Sequence, residues 1–131
     1  MEHCRSKLAA IAVACITLAA AAHARAEGGP LEVRRVRPAP ARVDTPVTAP
    51  IMVVFDRAVD RSTINKRTFW AFGRWSGVVD GNYTFTAGDR AVVLHPAAPL
   101  SAGERVMVLL SHSIRAADGA HLRPAGYSFQ Y

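Results

Sequence analysis

From Leu31 onward the apolar residues come in short runs, separated by Pro, Gly and Asp about every 10 to 15 positions, and no stretch keeps a helical period. Leu31-Glu32-Val33-Arg34-Arg35-Val36 partly alternates and predicts an edge strand. Pro38 and Pro40 stop it, because proline cannot donate to a ladder. Pro50 to Phe55 and Arg105 to Leu110 are near-continuous apolar runs, suited to central strands. Asp60 to Asn65 predicts one helical turn with Asp60 as its cap. Thr68 to Phe72 is aromatic and favours a strand. Val78-Val79 and Tyr83-Thr84-Phe85 flank Asp80-Gly81-Asn82, a hairpin signal. Ala87-Gly88-Asp89 turns the chain into Ala91 to Leu94, and Pro96 to Gly103 is a loop. A polar loop with Asp118-Gly119 leads to a last alternating strand, Tyr127 to Tyr131. The sum is about seven strands in about 100 residues, which predicts an all-β, immunoglobulin-like sandwich of two antiparallel sheets.

The first 26 residues read differently. Arg5 and Lys7 precede a 15-residue uncharged run, Leu8 to Ala22, short for a membrane span of roughly 20 residues. Small residues then allow a cut before His23, Arg25 or Glu27, and the polar Glu27-Gly28-Gly29-Pro30 favours the last. The expectation is a cleavable signal peptide over residues 1–26 and one β-sandwich domain over residues 27–131. Cys4 and Cys15 both fall in the signal, so the domain must stand on its core without disulfides. A domain of this size buries roughly 65% of the surface its unfolded chain exposes, enough to fold unaided.

The chain has 16 basic and 10 acidic residues. Without Arg5, Lys7, Arg25 and Glu2 the balance is 13 to 9, or +4, and Lys66 is the one lysine left. Export to the periplasm, cell surface or medium removes nucleic acid from the expected partners. It leaves protein or anionic polysaccharide of the cell envelope, with the membrane met only during export.

Three segments carry a family resemblance: Ala49-Pro50-Ile51-Met52-Val53-Val54-Phe55-Asp56-Arg57-Ala58-Val59-Asp60, then Val93 to Gly103 with its Pro99-Leu100-Ser101-Ala102-Gly103 corner, then Ile114 to Gly119 followed by Gly126-Tyr127-Ser128-Phe129. Together they resemble the bacterial SbsA-type Ig-like domain. That resemblance implies a non-catalytic spacer or interaction module of exported and cell-surface proteins, with no cofactor. The ending is also similar to periplasmic copper-binding proteins of the CopC type, which implies an alternative metal set of His23, Asp118 and His121. Here Asp118-Gly119 is followed by Ala120 before His121, one residue late for that pattern, and His23 is N-terminal only if the cut precedes it.

Other chemistry is thin. His95, His112 and His121 form no HxH or HExxH pair and are expected to stand apart. Ser111 lacks a nucleophile-elbow pattern, so no triad with His112 and Asp118 is expected, and the chain is read as no enzyme. Asp80 and Asp118 lack the spacing of a calcium loop. Arg34, Arg35 and Arg37 form the densest basic cluster, expected as a solvated edge. Trp70, Phe72 and Trp75 are the notable aromatics. Trp70 and Phe72 share parity and should point the same way. A small cysteine-free sandwich is expected to keep at least one tryptophan in its core or at the core's rim. If exposed instead, Trp70 and Trp75, with Arg74 as polar company, are the candidate binding residues for a sugar or a partner side chain.

Overall fold

The two apolar runs become the centres of two sheets. Every residue of Ile51–Phe55 (β2) and Val106–Leu110 (β7) is apolar, and each strand is flanked by a neighbour on both edges. In the computed structural model, which describes residues 28–124 and 126–131, one sheet has the order β1-β2-β6-β5. Its other strands are Val33–Arg37 (β1), Ala91–Pro96 (β6) and Gly81–Thr86 (β5). The second sheet has the order β4-β3-β7-β8, with Phe69–Gly73 (β3), Gly77–Val78 (β4) and Tyr127–Gln130 (β8). All strand pairs are antiparallel. The expected two-sheet sandwich is thus the observed fold. The expected signal peptide, with Cys4, Cys15 and His23, lies outside the described residues.

Period-two alternation sorts the side chains. Ile51, Val53, Phe55, Val92 and Leu94 of the first sheet face Phe69, Ala71, Val106, Val108, Leu110 and Phe129 of the second, and all are buried. The loops close the core with Leu31, Val59, Ile64, Leu100, Ile114 and Leu122. Tyr83 ties the layers: its hydroxyl donates to the Phe69 carbonyl and its ring lies 5.5 Å from the Phe69 ring. Burial, then the nearby Asp80 charge, pushes its phenol up. Asp60 caps a single 3-10 turn, Arg61–Thr63, by accepting the Ser62 N–H at 3.0 Å.

Two local expectations change. The described residues form eight strands rather than about seven, the extra one being the two-residue β4. Asp80-Gly81-Asn82 is also no hairpin turn. Val78 pairs back onto Phe72 of β3, while β5 pairs with β6, so this segment carries the chain from one sheet to the other. Gly81 is required at that switch, since a Cβ there would sit 2.1 Å from the His95 carbonyl oxygen.

The described chain enters at one pole of the sandwich and leaves at the other. Arg57 donates to the Gly29 and Pro30 carbonyls at 2.6 and 3.0 Å and reaches Asp118 at 3.1 Å. Tyr131 pairs through its backbone with Val106, at the opposite end of the strands.

Candidate functional site

The candidate site is the outer face of the β4-β3-β7-β8 sheet. Phe69 and Ala71 of β3 turn inward, so Trp70 and Phe72 turn outward. In register with them stand Val78 of β4, Met107 and Leu109 of β7, and Ser128 and Gln130 of β8. Val78, Phe72 and Met107 lie side by side across three strands, 67%, 42% and 45% exposed. Trp70 is half-buried beside Leu109, and Trp75, on the β3–β4 turn, is 63% exposed. Trp70 and Phe72 therefore share a direction as expected, but it leads away from the core. The expectation of a core tryptophan is overturned, because Phe55, Phe69 and Phe129 supply the bulk that the core needs.

One carboxylate builds the turn that presents Trp75. Glu104 accepts the Trp75 and Ser76 N–H groups at 2.8 and 2.9 Å through Oε2. Through Oε1 it accepts the Ser76 hydroxyl and the Ser101 N–H, the latter at 2.7 Å. Burial opposes its charge, but the donors from Ser76, Trp75 and Ser101 win and hold its pKa down to about 2. The same carboxylate explains Gly73: a Cβ there would lie 2.6 Å from Glu104 Oε2, and four donors hold that carboxylate in place. Burial, then the Glu104 charge, pushes the Tyr131 phenol up to about 12. Arg74 is exposed on this turn, and its backbone N–H donates to the Arg105 carbonyl at 3.0 Å. Trp70 thus lies near the start of β3, whereas Arg74 and Trp75 lie on the turn that follows its far end. Phe72, already notable in the sequence, completes the face with Val78, Met107 and Leu109, which were not singled out. The signal was present in β7, whose run is apolar on both faces although only one face is buried.

The histidines are not all apart. His112 and His121 stack with ring centroids 4.9 Å apart, which corrects that expectation. The hairpin through Asp118-Gly119 brings them together, with the Leu122 N–H donating to the Ile114 carbonyl. His112 Nδ1 bonds the Leu122 carbonyl, and His121 Nδ1 lies 3.2 Å from the His112 carbonyl. Asp118 faces elsewhere, taking Arg57 at 3.1 Å and the Ala120 N–H at 2.9 Å. His95 is separate, with Nε2 2.8 Å from the Thr84 hydroxyl. Among the described residues no three metal-binding side chains gather.

Solved structures share this fold. Over 79% of this chain, Escherichia coli alpha-2-macroglobulin matches with a TM-score of 0.61 at 17% identity, using 6% of its own length. The N-terminal part of the bacterial S-layer protein SbsC matches over 78% of this chain, with a TM-score of 0.57 at 14% identity and 23% of its own length. The chain thus spans only a small part of each of these proteins. No curated protein matches it. A family model described as "Bacterial Ig-like domain" matches residues 27–131, and the chain belongs to that family.

Proposed function

We propose that this chain is a non-catalytic, exported Ig-like module of the cell surface or periplasm that packs against another protein through the outer face of its β4-β3-β7-β8 sheet. The carrying observation is that row of exposed apolar side chains, Val78, Phe72 and Met107, with Trp75 fixed beyond it by Glu104. Contiguous exposed apolar surface of this kind marks interaction sites, and aromatic and Met side chains are enriched in them. A protein fits better than a sugar. Sugar rings need hydrogen-bonding groups around the stacking ring, and this face offers few beyond Ser128 and Gln130, with Arg74 on the turn. The fold's occurrence within a much longer surface-layer protein supports a place at the cell surface and a role as spacer or docking unit.

Photo-crosslinking in producing cells tests the reading. A crosslinker replacing Trp75 should give a discrete protein adduct, and one replacing His95, on the outer face of the other sheet, should give none. Equal labelling from both positions would overturn it, as would retention by a glycan array that is lost on Trp75→Ala. Export is tested by the first residue of the secreted chain, expected to be Glu27.

A further inference from the structure

The four sheet edges are not treated alike. On β1 the chain places Arg34, Arg35 and Arg37, and its pairing with β2 shifts register between Val33 and Arg35. β4 has two residues. The end of β8 is covered, since the Ala41 N–H donates to the Gln130 carbonyl at 3.0 Å. Charge, irregularity, shortness and coverage are the ordinary protections of an edge. Among the described residues, β5 has none of them. Gly81-Asn82-Tyr83-Thr84-Phe85-Thr86 spans six residues with no charge and no proline.

Its free backbone groups can be assigned. The Ala97 N–H donates to the Asp80 carbonyl, and the Phe55 N–H donates to the Arg90 carbonyl across the other side of β6. Alternation along the ladders then aims Asn82, Thr84 and Thr86 at β6. The N–H and C=O groups of Gly81, Tyr83 and Phe85 point away from it. No hydrogen bond from the described residues reaches these groups.

We propose that β5 is a self-association edge, on which a second copy pairs antiparallel with Tyr83 opposite Tyr83. This register sets Gly81 against Phe85 of the other copy and satisfies both edges with roughly six hydrogen bonds. A two-fold axis through Tyr83 makes the contact self-complementary, as a closed dimer requires. It joins two four-stranded sheets into one of eight. On the outer face it sets Asn82 directly across from Thr84, two uncharged side chains of similar size. Charge permits the approach, because each end of the strand carries a local ion pair. Lys66 holds Asp80 at 2.6 Å at the start, and Arg61 holds Asp89 at 2.7 Å past the end. Pairing through β1 would instead set arginines against arginines. The proposal is independent of the apolar face invoked above.

Sedimentation velocity of the protein across a concentration series tests it. A strand-edge contact is small, so reversible dimers are expected with a Kd between about 1 μM and 1 mM. Asn82→Lys/Thr84→Lys sets like charges across the axis twice and should raise Kd at least about tenfold without changing the melting temperature. Asn82→Lys/Thr84→Glu sets opposite charges in the same two places and should restore or tighten the dimer. Phe72→Ser/Trp75→Ala should leave it unchanged. A monomer at every concentration up to about 1 mM overturns the proposal. So does a dimer insensitive to both charge pairs, one weakened equally by both, or one lost with the Phe72 and Trp75 substitutions.

Discussion

The outer faces of the two sheets differ although both are built on central apolar strands. On the β1-β2-β6-β5 sheet, Met52 and Val93 lie in one cross-strand row between Arg37 and Thr84, and Val54 lies beside Arg35. Met52, Val54 and Val93 are partly buried, and polar side chains fringe them on both sides. On the β4-β3-β7-β8 sheet, the corresponding row is apolar from Val78 through Phe72 to Met107, and only Gln130 closes it. The first face is finished against water. The second is left open, and the turn beside it is held by the hydrogen-bonded Glu104 carboxylate.

The largest test compares the two sides of β3. Phe69→Ala, on the buried side, should cost about 3–5 kcal/mol in urea or thermal unfolding. Phe72→Ala, three residues along the same strand on the open side, should change stability by no more than about 0.5 kcal/mol. A comparable loss at Phe72 would mean that the face is structural.

A middle-sized effect belongs to Glu104. Glu104→Ala should cost about 2 kcal/mol, because the Trp75, Ser76 and Ser101 donors lose a charged acceptor. Its pKa, about 2 in the folded chain, lies below the ordinary 4.5. Its contribution is therefore complete above pH 4.5 and is lost as pH falls from 4.5 towards 2. Unfolding midpoints of the parent should fall across that window, and those of Glu104→Gln should fall less. Parallel curves would remove Glu104 as the cause. Trp75 emission should shift to the red in the same window as its turn loosens.

The smallest effect on stability sharpens the comparison from the other face. Arg34→Ala/Arg35→Ala/Arg37→Ala should leave the melting temperature nearly unchanged, within about 0.5 kcal/mol. Light scattering of the concentrated protein should nevertheless rise, since the edge of β1 loses its charges.

Much of the sandwich was legible because its signals are local. Ile51–Phe55 and Val106–Leu110 read as central strands from their apolar runs, and Asp60 read as a cap from its position before Arg61. Parity correctly paired Trp70 with Phe72, but it could not say which side of β3 was inside. That depends on the other sheet, which fills the core with Phe55 and Leu94. The partner of Val78 was hidden for a similar reason. A two-residue strand has no period, and only pairing shows that it returns to β3 rather than meeting β5. His112 and His121 were misjudged because the turn between them was read as a loop and not as the bend of a hairpin. The Glu104 network joins residues up to 29 positions apart, a distance at which pattern is silent.

The poles at which the described chain enters and leaves have a mechanical meaning. Gly29 and Pro30 are held near Arg57 and Asp118, and Tyr131 is held at the far end beside Val106. A pull between those poles runs along the strands. It would slide β1 against β2 in one sheet and β8 against β7 in the other. Ladder hydrogen bonds stand perpendicular to the strands, so this pull strains each row together rather than opening it one bond at a time. Tension in that direction therefore meets the sandwich in shear, the loading under which antiparallel ladders resist best.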